Sequence, residues 1–295
     1  MSEALGLSDI SLILLILLYG FARGCIYGVI ALGLNLIFGT MKIVNLAHGA
    51  MCLLSAYIVY SLFFLTGFDP YLLMFIAILV FFGFGLGLYS GIFRRTKDAS
   101  SSTISSYGLL IALQMVMVII WTANPKAIPS PSTSAIVPLG VVSISLSRIV
   151  LIFVCVIVAF LLILLLKRTM FGKALRATSE DAETASLMGI SVMKINALAF
   201  SLGIVLACLA GVVYGINYSF DPYLGLMLTL KAMVALTLGG LGNPIGAITG
   251  GFILGIVENV IAYQFGATWA DVASYFAFII ILLVRPSGIF GKGRW

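Results

Sequence analysis

Runs of about twenty apolar residues follow one another along nearly the whole of this chain, and they are continuous rather than alternating. A helix of about 20 apolar residues matches the thickness of a hydrocarbon bilayer. Lipid offers no water to backbone N–H and C=O groups, so a spanning segment must be a helix or part of a closed barrel. Barrel strands alternate apolar and polar residues, and these runs do not. The expectation is an all-α polytopic membrane protein with eight or nine transmembrane helices and broken or re-entrant segments, built as a single domain over residues 1–295. With 62% of residues apolar, 9% charged and a mean hydropathy of +1.22, a soluble domain is excluded. The spans read as 10–37, 46–66, 71–93, 104–122, 148–166, 193–216, 226–242, 245–265 and 270–285. If the interruption at Gly39–Asn45 lies inside the membrane, the first two segments count differently and eight spans replace nine. No basic segment precedes the first run and no clean cleavage site follows it, so it reads as a span and not a leader.

Charge orients the spans. Arg94, Arg95 and Lys97 follow the third; Lys167, Arg168, Lys173, Arg176 and Lys194 follow the fifth; Arg285, Lys292 and Arg294 follow the last. These are 11 of the 16 basic residues, and the span order puts all of them on one side. Basic loops stay cytoplasmic, which predicts a cytoplasmic C-terminus and an external N-terminus. Glu3, Asp9, Asp69, Asp221 and Asp271 fall on the other side. The net charge of +6 is then an attraction to anionic membrane lipid, with no nucleic-acid partner expected. Ala123–Ser147, with Pro125, Pro129 and Pro131, reads as an external loop. Cys25, Cys52, Cys155 and Cys208 lie within apolar runs without metal-ligand spacing and read as free structural thiols.

The polar island Lys173–Lys194 interrupts this pattern. It carries Lys173, Arg176 and Lys194 with Glu180, Asp181 and Glu183, and has no proline and one glycine. It is too long for a tight turn between spans. A helix over Lys173–Ile190 is predicted, either as a solvated face or as a docking element for a soluble partner at the membrane surface. Ala174, Leu175, Ala182, Ala185, Leu187 and Met188 are its apolar and small positions.

Two hydrophobic hairpins are broken by glycine and asparagine. One is residues 34–50, with Gly39, Lys42, Asn45 and His48; the other is residues 236–251, with Gly239, Gly240, Gly242 and Asn243. Broken helices turn backbone groups toward a cavity where they can meet polar ligands, while glycines also let helices pack closely; both readings stand for the second hairpin. Asn45 and His48 share a helical face at i, i+3, and they read either as satisfied packing residues or as groups lining or gating a pathway. Glu258 is the one acid deep in a span, with Asn259 beside it. An intramembrane acid implies function or a polar partner. Arg23 is either its partner or a residue that snorkels to the surface, and Lys231, near the outer part of its span, can also snorkel.

The chain contains no GxxxxGK[ST] phosphate loop, so a nucleotide that drives it must bind another chain. One histidine and no GxSxG give hydrolase chemistry no support, and no cluster could hold a metal. Catalytic and metal-binding residues are expected to be none.

The segments GVIALGLNLIFGTMKIVNLAHGAMCLLSAY (28–57), FGKALRATSEDAETASLMGI (171–190), ALTLGGLGNPIGAITGGFILGIVE (235–258) and LLVRPSGIFG (282–291) together resemble the permease subunits of branched-chain amino acid ABC importers, of the shorter Liv H-type. The resemblance spans the whole chain. It does not discriminate among amino acid, urea, amide and aromatic-acid substrates. It implies a non-catalytic permease of the cell inner membrane, paired with a second related permease, two ATP-binding subunits that hold ATP and Mg, and an external substrate-binding protein. The island, about 171–192, then matches the family's coupling helix. A secondary transporter or channel for a small polar solute is the alternative; it would leave the charged island without a task.

Overall fold

The computed structural model describes residues 9–96, 98–140, 142–285 and 288–290. Glu3, Lys97, Lys292 and Arg294, which enter the charge pattern, lie outside them. The helices are α1 (Asp9–Met41), α2 (His48–Thr66), α3 (Pro70–Gly91), α4 (Ala99–Trp121), α5 (Pro131–Ser134), α6 (Leu146–Arg168), α7 (Met170–Glu180), α8 (Ala182–Leu187), α9 (Val192–Asn217), α10 (Leu224–Gly239), α11 (Pro244–Phe265) and α12 (Ala267–Val284). Eight are long and apolar enough to cross a membrane, and the chain is a multi-pass membrane protein. The seventh expected span is the short one: α10 has 16 residues, about 24 Å at 1.5 Å per residue, less than a hydrocarbon core of about 30 Å.

Local chemistry sets the boundaries. Asp69 caps α3 by accepting from the Tyr71 amide at 2.9 Å, with Pro70 behind it. Asn243 does the same for α11, accepting from the Ile245 and Gly246 amides, followed by Pro244. Gly67, at φ 70°, closes α2 by donating to the Phe63 carbonyl. The segment expected as a loop at 123–147 contains α5 and an antiparallel hairpin, β1 (Ile136–Leu139) with β2 (Val142–Ser145), pairing Ile136 with Ser145. Lys126 and Phe220 form a backbone bridge that ties this segment to the end of α9.

Helices in lipid gain nothing from hiding apolar area from one another, so close packing must hold them together. The most extensive packing joins α1 to α11. Gly20, Gly24 and Gly28, spaced four apart, share one face of α1; Ala247, Gly251 and Gly255 share one face of α11. A Cβ at Gly24 would stand 2.7 Å from the Gly251 carbonyl oxygen and 2.8 Å from the Phe252 Cα. A Cβ at Gly28 would meet Ile248 and one at Gly20 would meet Ile256. The same device seats α9, enclosed from Ala199 to Ile216, against α1 through Gly203 and against α2 through Gly211.

The basic clusters gather at one end. Lys42, Arg94, Glu180 and Asn196 line one polar cleft there, while Asn35, Lys167, Arg176 and Asn243 line a second cavity. Lipid-exposed apolar side chains cover the outside of α3, α4, α6 and α12, as with Leu79, Ile119, Phe153 and Leu283.

Replacing Gly24 or Gly255 by leucine forces side chain into backbone, and the overpacking is expected to cost about 1–3 kcal/mol or more. Both variants should lower the unfolding midpoint and yield of the purified protein. Gly83→Leu and Gly87→Leu, where no atom lies within 4 Å of an added Cβ, should leave both unchanged.

Candidate functional site

Three groups of polar residues break the apolar pattern, and the fold gives each a different setting. The first is buried in the bundle. Glu258 is 0% exposed and Lys231 3% exposed. The Lys231 Nζ lies 3.1 Å from Glu258 Oε1 and 2.7 Å from Asp271 Oδ1. The Tyr27 hydroxyl donates to Glu258 Oε2 at 2.8 Å, and the Ser274 hydroxyl donates to Glu258 Oε1 at 2.5 Å. Four helices, α1, α10, α11 and α12, thus meet on one carboxylate. A charge removed from water needs both an opposite charge and hydrogen bonds to its remaining lone pairs, and Glu258 has both. Two expectations are corrected. Arg23 is not the ion partner of Glu258; its guanidinium stacks over the Tyr218 ring at 5.3 Å. Lys231 does not snorkel freely to the surface, because its side chain is buried with the ammonium between the enclosed Glu258 and the half-exposed Asp271. Asn259 donates to the Ile16 carbonyl at 2.6 Å and fastens α11 to α1.

The second group is the break between α1 and α2. The helix continues through Gly39 to Met41, since Thr40 bonds back to the Leu36 and Ile37 carbonyls and keeps the turn closed. The break is therefore Lys42–Ala47, and it opens on Lys42 at φ 54°, a left-handed conformation that costs a side-chain-bearing residue about 1 kcal/mol or more. The chain then folds back, so that His48 packs against Gly33, eight residues before the end of α1 and about 12 Å along its axis. Ser106 of α4 holds the returning strand, accepting from the Leu46 amide at 3.0 Å and donating to the Val44 carbonyl. Thr229 of α10 accepts from the Gly49 amide and donates to the Leu46 carbonyl. Asn45 and His48 are both fully buried. Asn45 Oδ1 accepts from the Ala47 amide, but Asn45 Nδ2 and both ring nitrogens of His48 have no partner. The Ile30 carbonyl lies near the His48 ring without reaching hydrogen-bond geometry. Neither residue lines the two cavities at the basic end.

At the second hairpin, Gly239 ends α10 and packs on Gly246, Gly240 (φ 104°) and Gly242 (φ 81°) make the turn, and Asn243 starts α11. Asn35 of α1 accepts from the Gly242 amide at 2.9 Å, and Asn243 donates to the Phe290 carbonyl. The turn closes one wall of a cavity of about 190 Å³ whose other walls are α1, α6 and α7.

The third group is the island. It is two helices, not one. Asp181 stands in extended backbone and caps α8, accepting from the Glu183 and Thr184 amides and the Thr184 hydroxyl. Aspartate is among the strongest N-caps, and it stops α7 at Glu180. The Thr184 hydroxyl and amide, with the Glu183 amide, hold the Asp181 carboxyl below its ordinary value of 3.8. The cap is therefore complete above that ordinary value and is lost only as pH falls through the lower folded one. Gly189, at φ 84°, ends α8. Of the expected contact positions, Leu175 and Ala185 are buried against the chain's own helices and Ala174 is half-buried, whereas Ala182, Leu187 and Met188 face outward. Leu187 is 82% exposed and Met188 79% exposed, close in sequence to Glu180, Asp181 and Glu183.

Tyr27, Ser274, Asp271 and Asn35 were not legible as partners in the sequence, since each reaches its partner only across the fold; the Gly20, Gly24, Gly28 spacing was a visible signal. The ion network predicts an asymmetry. Lys231→Met strands the buried Glu258 and should cost about 3–5 kcal/mol. Glu258→Gln leaves Lys231 paired with Asp271 and should cost about 1–3 kcal/mol. Lys231→Met with Glu258→Leu should recover much of the first loss in thermal unfolding of the purified protein.

Residues 16–284 match the family described as "Branched-chain amino acid transport system / permease component". The chain is 33% identical over 291 residues to the high-affinity branched-chain amino acid transport system permease protein BraD of Pseudomonas aeruginosa, covering 94% of this chain and 95% of that one. It is 31% identical over 288 residues to the corresponding permease protein LivH of Escherichia coli, covering 92% and 94%. Among solved structures, PsaBC from Streptococcus pneumoniae in complex with Fab aligns over 91% of each chain with a TM-score of 0.52 and 17% identity, a likeness of fold alone. With a match along nearly its whole length, this chain belongs to the family of branched-chain amino acid transport system permease components.

Proposed function

We propose that the chain is the transmembrane permease subunit of an ATP-driven importer for branched-chain or related amino acids in the cytoplasmic (inner) membrane. The two similar permeases named above support the substrate class. The basic end is cytoplasmic in this reading, which follows from the positive-inside rule, and the N-terminus is external. ATP and Mg are held by two separate ATP-binding subunits, a second related permease completes the pathway, and an external binding protein delivers the substrate.

The observation that carries the reading is the outward corner of α7 and α8. Two large apolar side chains, Leu187 and Met188, project at the basic end beside Glu180, Asp181 and Glu183. Lipid would accept the apolar pair but not the charges, and water the reverse. A groove on a soluble ATPase satisfies both, with the apolar pair as buried anchors and the charges at the rim. Ala185 and Leu175 hold this corner to the bundle through their burial, so that a push on α8 is transmitted to α6 and α9. Leu187→Asp with Met188→Asp should release the ATPase on co-purification, or uncouple hydrolysis from uptake, with the permease still inserted. Glu180→Ala should change either by twofold or less, as exposed charges contribute about 1 kcal/mol or below. Stoichiometric ATPase and full uptake in the double aspartate variant would remove α8 as the docking element.

The pathway groups follow from the unpaired atoms. Unpartnered buried polar groups and a left-handed Lys42 both raise the energy of the α1–α2 break in this conformation. In the proposed cycle the break rearranges, and Asn45 and His48 then line or gate the route. Glu258, paired on all sides, acts in stability or gating and not as a proton carrier, with Asn259 beside it. His48→Ala and Asn45→Ala should lower vesicle uptake severalfold with the complex still assembled; undiminished uptake in both would make them packing residues.

A further inference from the structure

A third cleft lies at the end of α6 remote from the basic clusters, and the import mechanism above does not use it. α1 and α6 diverge there around a groove of about 410 Å³ whose walls include Leu18, Ala22, Ile152, Phe153 and Val156. Phe153 is 65% exposed and Val156 46% exposed, so the groove opens outward along the membrane-facing side of α6. At its head stands Arg148, the third residue of α6. Its guanidinium carbon lies 3.5 Å from the centroid of the Tyr19 ring, and this stacking fixes the plane of the fork. Nη1 of Arg148 is enclosed by the protein, the side chain as a whole is half-buried, and among the described residues no carboxylate pairs with it. A cation at the edge of a membrane without a counter-charge is costly. The N-terminal end of the 23-residue α6 adds positive potential at the same point.

We propose that this groove binds an anionic phospholipid of the leaflet opposite the basic clusters. Its phosphodiester meets Arg148 and the first turn of α6, and one acyl chain lies along α6 from Arg148 to Val156, about 12 Å. The walls decide between a lipid and a free anion. Apart from the Tyr19 hydroxyl and Arg148 they are aliphatic or aromatic carbon, which holds a tail and gives a hydrated phosphate nothing. The tethered lipid would splint α1 to α6 at the end where the β1–β2 hairpin, through Ile144, closes the groove. The inference is independent of the transported substrate and of α8 docking, because its test measures no transport.

The test uses the assembled complex, stripped of lipid in detergent, with thermal unfolding and native mass spectrometry as readouts. Dioleoylphosphatidylglycerol should bind saturably and raise the unfolding midpoint. Dioleoylglycerol, which has the tails alone, and glycerol phosphate, which has the head alone, should do neither. Arg148→Gln should weaken phosphatidylglycerol binding at least tenfold, Arg148→Lys less, and Arg168→Gln at the opposite end not at all. Val156→Trp keeps Arg148 and fills the groove, and it should lose binding to a similar degree; it carries the test alone if Arg148→Gln fails to fold. A photoactivatable phosphatidylglycerol should label the Arg148–Val156 segment. Equal binding by wild type and both groove variants, equal binding of dioleoylglycerol, or no label on α6 because a neighbouring subunit fills the groove, would each overturn the proposal.

Discussion

The contact of α1 with α11 along facing small residues is the constraint on which the rest of this structure depends. Apolar helices in lipid have no hydrophobic reason to prefer one another over acyl chains. What they gain by meeting is contact, and contact is greatest where no side chain keeps the backbones apart. Gly20, Gly24 and Gly28 against Ile248, Gly251 and Gly255 provide that along two full turns. Because these helices lie at opposite ends of the sequence, their contact closes the domain. It also brings Tyr27 to Glu258 and Asn259 to the Ile16 carbonyl, polar contacts that no local segment could make.

Within that closed frame α10 is the exception, too short to match its neighbours and held by polar contacts in its first half and by close backbone packing at its end. Thr229 joins it to the returning strand before α2, Lys231 joins it to Glu258 and Asp271, and Gly239 joins it to Gly246. The first two of these links reach the α1–α2 break and the α11–α12 pair. α10 therefore ties the α1–α2 break to the α11–α12 pair. The ion network gives this helix a defined position at some cost in desolvation, a cost that an all-apolar contact would not carry. Its value lies in register: a lysine between two carboxylates fixes which turn of α10 faces α11 and α12.

The island shows how a single side chain divides a surface element. Continuous helix propensity runs from Lys173 through Leu187, yet Asp181 offers its carboxylate to two amides and a hydroxyl and so starts a new helix. The resulting corner turns Leu175 and Ala185 inward and Leu187 and Met188 outward. One face is anchored and the other is free.

Legible in the residues alone were the all-α class, the membrane setting, the approximate spans, the clustering of basic residues and the presence of a polar surface element between the fifth and sixth long segments. These are properties of runs and periods, and the physics that sets them is local: backbone groups in lipid must bond within their own helix, and a run of about twenty apolar residues suffices to say so. Tertiary structure alone decided who meets whom. It assigned Lys231 and not Arg23 to Glu258, returned His48 to the level of Gly33 and turned Ala185 into the chain's own bundle. Each of those outcomes depends on atoms far apart in the chain coming within 3 or 4 Å. Apolar helices of equal length look alike to a sequence, and only their packing ranks the possible neighbours.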